Sequence, residues 1–306
     1  MVTTFRLVGL EADNLLAFLA LLGTLRALDL ARPSWRVRTR WSGPPWHPEL
    51  TIDDDVDEQA MLIAVAEGAA IAGGPIDFQG HKNIDFSPAR FRELAAVASE
   101  PLQATMLAAI GSDACTRRDG ERIEGTALAA IAGQGHQNFV ERVTALGRRQ
   151  LQNQTIVLHK ALLEPWAYED TESALRWDPI EDRRYALGFA DPSSEKIKTS
   201  AGANVLAVVG FPLLATAPGE RDLATTAVVR KGRSHEVRWP IWNVPCGLAT
   251  IKALLRHPDL AGAAENAGNG RAAWARRGVV DIKRCRRIQT GKYFSFERAV
   301  SAWAPS

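Results

Sequence analysis

Three arginines alternate with other side chains in residues 35–41, which read Trp-Arg-Val-Arg-Thr-Arg-Trp. Because successive side chains of a β-strand point to opposite faces, this pattern predicts a strand with one basic face. The basic face consists of Arg36, Arg38 and Arg40. Arginines spaced about 6.5–7 Å apart along a strand suit contacts with successive phosphates of a nucleic acid. The alternative is that they pair with acids such as those of the run 53–55, and both interpretations fit the sequence.

Two polar segments carry side chains that could contact base edges. Glycines 133 and 135 flank the first segment and allow close backbone approach. Amide and imidazole groups offer donors and acceptors that match the edges of bases. The candidates are Gln134, His136, Gln137 and Asn138 in the first segment, and Asn153 and Gln154 in the second. An ordinary loop or helix surface is the alternative for both segments.

The C-terminal quarter is basic although the whole chain is nearly neutral, with 37 Lys and Arg against 35 Asp and Glu. Residues 226–306 carry 15 Lys and Arg against 5 Asp and Glu, a net charge of +10. Residues 1–225 carry 22 against 30, a net charge of −8. A basic segment of this size makes a polyanion a candidate partner. The candidate phosphate contacts here are Arg230, Lys231, Arg233, Lys283, Arg284, Arg286 and Arg287.

The sequence contains none of the common catalytic or metal-binding motifs. We find no P-loop, no glycine-rich dinucleotide pattern, no H-E-x-x-H and no nucleophile elbow, and the six histidines are scattered. The widely spaced Cys115, Cys246 and Cys285 predict reduced thiols and not a disulfide framework or zinc site. We therefore expect no enzyme activity, no metal and no cofactor.

The N-terminal segment predicts neither export nor membrane insertion. It lacks a basic region followed by an uninterrupted apolar stretch, which a signal peptide requires. The apolar run from Leu15 to Leu25 is too short to cross a bilayer. We expect a cytoplasmic protein without membrane contact.

The elements that must position these side chains are predicted as a mixture of helices and strands. Helices are predicted at 14–30, with Asp13 or Asn14 as the cap, and at 56–72, 89–98, 101–110, 139–151 and 247–256. Strands are predicted at 4–10, 35–41, 225–230, 235–242 and 278–288, with a basic hairpin turn at 231–234. This pattern predicts an α+β fold, with mixed helices packed on small antiparallel sheets and no Rossmann or TIM-barrel pattern. We place an N-terminal mixed domain at 1–170 and a strand-richer basic domain at 171–306.

Several segments resemble the CRISPR-associated subunits of type I-G loci, formerly called type I-U. The opening residues 7–14 and 16–23 resemble the start of these subunits, except that Leu15 stands where relatives often carry proline. A glycine and glutamine loop at 132–137 continues the likeness. Further similar segments lie at 177–179, 182–187, 190–193, 202–207 and 239–242.

This resemblance implies a non-catalytic large subunit of a type I-G interference complex (Cascade). Such subunits recognise the protospacer-adjacent motif and hold target DNA during R-loop formation, while the guide RNA pairs with the target. The implied partners are target DNA, the helicase-nuclease, and the backbone and crRNA-processing subunits of the crRNA-guided complex. An accessory adaptor that docks the helicase-nuclease through protein–protein contacts is the alternative.

Overall fold

A computed structural model describes most of the chain, and the described part has the predicted α+β fold. It describes residues 2–131, 138–149, 154–170, 174–181, 198–220, 222–232, 234–262, 267–290 and 293–303, with only the backbone at 267–269, 290 and 293. The helices are α1 Leu15–Ala31, α2 Glu58–Gly73, α3 Pro88–Val97, α4 Pro101–Ile110, α5 Phe139–Gly147, α6 Gln154–Leu162, α7 Ala201–Gly210, α8 Leu248–Leu255 and α9 Ala267–Ala275.

The strands form small antiparallel sheets. They are β1 Thr3–Arg6, β2 Arg38–Ser42, β3 His47–Ile52, β4 Gly111–Thr116, β5 Ile123–Gly125, β6 Thr216–Pro218, β7 Leu223–Thr225, β8 Val228–Lys231, β9 Ser234–Trp242, β10 Cys246–Gly247, β11 Val279–Thr290, β12 Tyr293–Phe296 and β13 Val300–Ser301. One sheet has the order β1-β3-β2-β10, and another has the order β12-β11-β9-β8 with β13 paired to β11. Strands β4 and β5 form a separate pair, as do β6 and β7.

Local capping signals fix several helix starts. The side chain of Asn14 accepts hydrogen bonds from the backbone N–H groups of Leu16 and Ala17, so Asn14 and not Asp13 caps α1. Ser87 caps α3 by accepting from the N–H of Arg90, and Pro88 occupies the first helical position. The predicted helix at 139–151 is too long, since α5 ends at Gly147.

Helix α1 is the centre of the molecule and packs against α2 and α7. A Cβ atom on Gly23 would lie 1.8 Å from the carbonyl oxygen of Leu206, and one on Gly210 would lie 2.2 Å from that of Leu19. Only glycine at these two positions lets the backbones of α1 and α7 approach so closely. Helix α7, for which the sequence pattern predicts no element, is therefore a buried helix whose small residues define its contact with α1.

Tryptophans on β9 join the sheets to α1. The rings of Trp239 and Phe18 stack with centroids 5.1 Å apart, and the indole N–H of Trp239 donates to Ala12 at 3.1 Å. The indole N–H of Trp242 donates to the carbonyl of Thr39 on β2 at 2.7 Å. Burying a side chain of this size stabilises the fold by roughly 1.5–3 kcal/mol. The larger apolar core includes residues on both sides of position 170, and the domain boundary there stays a prediction.

Candidate nucleic-acid interface

The predicted basic strand at 35–41 is wrong in its first half. Pro33 begins a short 3-10 turn that ends at Trp35, and Arg36 follows with a left-handed φ of 45°. Strand β2 starts only at Arg38, where pairing with Thr51 of β3 begins. Arg36 therefore lies outside the strand, and only Arg38 and Arg40 share its basic face.

Both arginines on that face are paired with carboxylates. Arg38 forms an ion pair with Asp53, as the alternative interpretation of the sequence proposes. Arg40 contacts Glu49 at 2.8 Å, and this hydrogen bond lowers the pKa of Glu49. Arg36, in contrast, is exposed and has no ion-pair partner within the described ranges. Of the three predicted phosphate contacts here, Arg36 has the least compensated charge.

The predicted hairpin near residue 230 is confirmed. Strands β8 and β9 pair antiparallel, with Lys231 opposite Ser234. Gly232 has a φ of 60°, a conformation that glycine adopts readily. Arg230 is exposed but forms an ion pair with Asp222. Lys231 is also exposed, and Arg233 lies outside the described residues.

Strand β11 carries four predicted phosphate contacts, and three of them have acidic neighbours. Lys283 contacts Asp281 at 2.8 Å, and Arg286 contacts Glu297 at 3.1 Å. Arg284 lies 4.0 Å from Glu236, a residue that also pairs with the buried Arg238. The strand itself is confirmed, but much of its positive charge is neutralised by neighbouring acids.

Arg287, the fourth of these residues, performs a packing role. Its guanidinium lies over the ring of Phe294 at 4.0 Å from the centroid and donates to the carbonyl of Ala129 at 2.9 Å. Burial lowers the pKa of Arg287 to about 10. A guanidinium held in this way joins β11 to the segment before α5 and has little surface left for a phosphate.

Four of the six predicted base-edge candidates lie outside the described residues. They are Gln134, His136, Gln137 and Asn153. Asn138 precedes α5 and uses both ends of its amide, accepting from Asn83 and donating to Glu141, each at 2.7 Å. Gln154 begins α6 and donates to the carbonyl of Ala66 at 3.5 Å. The two described amides therefore make internal contacts.

Sequence reasoning missed a group of exposed cations on α8, on α9 and just after each helix. We call this group the α8–α9 basic surface, and it consists of Lys252, Arg256, Arg271, Arg276 and Arg277. Lys252 is partly buried, the arginines are exposed, and none has a carboxylate partner in the described part of the chain. The spacing of Lys252 and Arg256 is the signal that could have revealed it, because residues four apart lie on one side of a helix.

Aromatic rings hold α8 and α9 together beneath this surface. The ring of His257, which follows α8, lies 5.1 Å from that of Trp274 on α9. The guanidinium of Arg277 lies over Trp274 at 5.5 Å, and that of Arg271 lies over Trp303 at 5.4 Å. Such cation–π contacts orient an arginine without neutralising its charge. The arginines of this group therefore keep their positive charge, which attracts polyanions.

The described residues contain no cluster of three or more His, Cys, Asp or Glu side chains that could hold a metal ion. In the acidic run, Asp53 is taken by Arg38, and Asp54 accepts a hydrogen bond from the N–H of Asp55 at 2.8 Å. Asp57 caps α2. In the described ranges, no helix has the length and apolar composition needed to cross a membrane.

Two carboxyl groups are buried beside the start of α1. Asn14 donates to Asp178 at 3.2 Å, so the residue that caps α1 also anchors one of these acids. Burial raises the pKa of Asp178 to about 6 and, together with the charge of Asp178, the pKa of Glu181 to about 8. Among the described residues, neither carboxylate oxygen of Glu181 has a hydrogen-bond partner. Because the core of the protein surrounds both carboxyl groups, their ionisation affects the stability of the fold.

Comparison of the chain with protein-family models, with curated proteins and with solved structures found no match. The likeness to type I-G subunits therefore rests on the sequence segments alone, and the geometry of the basic surface is an independent ground for a functional proposal.

Proposed function

We propose that this chain is a non-catalytic, cytoplasmic subunit of a type I-G crRNA-guided interference complex that recognises the protospacer-adjacent motif and holds target DNA during R-loop formation. The observation that carries the proposal is the α8–α9 basic surface, whose exposed arginines lack carboxylate partners within the described residues. An exposed cation without such a partner can replace the counterions condensed on a phosphate backbone, and their release drives binding.

The division of labour in an RNA-guided complex fits this surface. Base pairing with the guide supplies most of the sequence specificity, so the protein needs mainly phosphate contacts and a few base-edge contacts. Guanidinium groups suit phosphate geometry because their donors form a planar fork. The acidic part, residues 1–225, would face the backbone subunits, the crRNA-processing subunit and the helicase-nuclease. Gln134, His136, Gln137 and Asn153 stay predictions for the base-edge contacts.

Reconstitution of the effector with and without this chain tests the proposal. We expect omission to weaken binding to target duplex and to remove the preference for the correct adjacent motif. Charge reversal of Arg271, Arg276 and Arg277 should weaken binding to all sequences by about tenfold or more while the motif preference remains, because phosphate contacts carry no sequence information. Unchanged affinity and motif preference upon omission would contradict the proposed function.

The adaptor alternative rests on a different observation, the outer face of α2. Ile63 and Ile71 on this helix are 39% and 46% exposed. Exposed apolar side chains on one helix are typical of protein contacts when they form a patch. If docking of the helicase-nuclease is the main role, then Ile63→Glu with Ile71→Glu should abolish its capture by this chain. That capture should also survive nuclease treatment.

A further inference from the structure

A cleft lies where the end of α1 meets the start of α8. It has a volume of about 470 Å³ and contains Arg36, which lies outside strand β2. Its lining consists of Leu25, Asp29, Pro33, Arg36, Val37, Arg38, Gly247, Leu248, Ala249 and Lys252. The cleft thus brings a predicted phosphate contact from the N-terminal part together with a lysine of the α8–α9 basic surface.

The polar groups of the cleft favour an anion at one end. Arg36 and Lys252 have no carboxylate partner in the described part of the chain. Arg38, in contrast, forms an ion pair with Asp53. Gly247, which precedes α8, has no side chain to cap the first N–H groups of the helix, and the positive end of the helix dipole adds to the two cations. A guanidinium and an ammonium group in the lining of one cleft suit a phosphate group.

The remaining lining suits the rest of a nucleotide. Asp29 is an exposed carboxylate that can accept a hydrogen bond from a sugar hydroxyl or a base amino group. Pro33, Val37 and Leu248 are partly or fully exposed and give the cleft an apolar wall on which a base or sugar can pack. The volume falls within the range of about 300–1,000 Å³ that is usual for small-molecule sites. Inorganic phosphate alone would leave both the carboxylate and the apolar wall without contacts.

We propose that this cleft binds one unpaired nucleotide of a single-stranded nucleic acid, with its phosphate at Arg36 and Lys252. A paired base is stacked inside its duplex and cannot enter a cleft, so the site selects single strands. A strand that leaves the cleft along α8 meets Arg256 one helical turn further, about 6 Å along the axis. The proposal rests on the nucleic-acid-binding function proposed above. It adds that the cleft binds the single-stranded form of the nucleic acid.

Binding of labelled oligonucleotides to the full chain tests this inference. The probes are a short fluorescein-labelled oligothymidylate and a hairpin duplex of similar length, followed by fluorescence anisotropy. We expect Arg36→Gln with Lys252→Gln to weaken single-strand binding about tenfold and duplex binding at most about twofold, since each lost phosphate contact costs affinity. Lys82→Gln with Arg118→Gln is the matched control, because both side chains are exposed cations that do not belong to the lining of the cleft.

Each other outcome counts against the inference. An equal loss of single-strand and duplex binding would show that the two residues act only as general phosphate contacts. A second contrary result is displacement of the labelled probe by inorganic phosphate or thymidine monophosphate at concentrations similar to those at which unlabelled oligothymidylate displaces it. That result would identify an anion site or a free-nucleotide site instead. If the cleft variant binds normally while the reversed Arg271, Arg276 and Arg277 variant does not, the inference fails and the proposed function stands. If the wild-type chain and its effector bind neither probe, both fail.

Discussion

The arginines of the β12-β11-β9-β8 sheet and those of the α8–α9 basic surface differ in their surroundings. On β8 and β11, Arg230 and Arg286 have side chains that are 56% and 61% exposed, yet each forms an ion pair, with Asp222 and Glu297 respectively. Arg276 and Arg277 after α9 are also exposed and have no carboxylate partner among the described residues. Exposure alone therefore does not identify a cation that is available to a ligand.

The contrast follows from where the acids fall along the chain. Glu236 and Glu297 are held beside β11 by the strand register and by the turn after β12. Residues 248–278 contain only Asp259 and Glu265 as acids, against five Lys and Arg. Residues 248–278 thus carry a net charge of +3, and the rest of the C-terminal quarter carries +7. Several cations of the sheet nevertheless lie beside acids, as Arg230, Lys283 and Arg286 do.

The largest effect that tests this contrast concerns the buried ion pair of the sheet. Arg238 is fully buried and donates to Glu236 at 2.6 Å. Arg238→Ala should lower the free energy of unfolding by about 3–5 kcal/mol, because it leaves the carboxylate of Glu236 buried without its main partner. Urea denaturation measures this loss. Arg276→Ala is the control and should stay within about 0.5 kcal/mol of the wild type, as exposed positions usually do; similar losses in both variants would remove the distinction between the two regions.

Glu181 is a buried acid for which the described part of the chain supplies no hydrogen-bond partner, in contrast to the paired Glu236. The pKa of Glu181 is raised from its ordinary 4.5 to about 8 by burial. Folding therefore favours the protonated form, and stability falls as the pH rises through this window and then stays level. Glu181→Gln should match the wild type near pH 4 and be more stable by on the order of 5 kcal/mol near pH 9, at roughly 1.4 kcal/mol per pKa unit.

Thermal denaturation across this pH range checks the prediction. Glu141→Gln is the control, since Glu141 is exposed on α5. A stability difference between Glu181→Gln and wild type that does not change with pH would contradict the account of Glu181.

The smallest expected effect concerns an exposed ion pair of the sheet. Arg286→Gln breaks the contact with Glu297 at the surface, where water and salt screen the charges. We expect a change of only about 0–1 kcal/mol in the free energy of unfolding and a further decrease in that change at high salt. A large salt-independent loss measured by denaturation would show that this pair is part of the core.

The parts of the fold that follow local rules could be predicted from the sequence. Asn14, Ser87 and Pro88 mark helix starts because capping depends on neighbouring residues alone. The start of β2 could not be predicted in this way, since it depends on where β3 begins to pair and on the turn that Pro33 initiates. Helix α7 was not predicted, because an apolar run of this length is compatible with either a buried strand or a buried helix.

The candidate site was harder to predict than the fold, because ion pairing depends on tertiary neighbours. Strand pairing and the turn after β12 bring Glu236 and Glu297 to β11, and no spacing in the sequence indicates this. Arg36 and Lys252 line the same cleft because α8 packs beside α1. Only the spacing of Lys252 and Arg256 on one helix was available from the sequence.

The salt dependence of duplex binding tests the central claim most directly. In one variant Arg271, Arg276 and Arg277 are replaced by Gln, and in the other Arg230 and Arg286 are replaced by Gln. Each phosphate contact contributes about 0.9 to the slope of log K against log salt concentration, so the first variant should lose about 2–3 from this slope. The second variant should keep the wild-type slope to within about 0.5, because its arginines are already paired. An unchanged slope in the first variant, or an equal loss in both, would contradict the account.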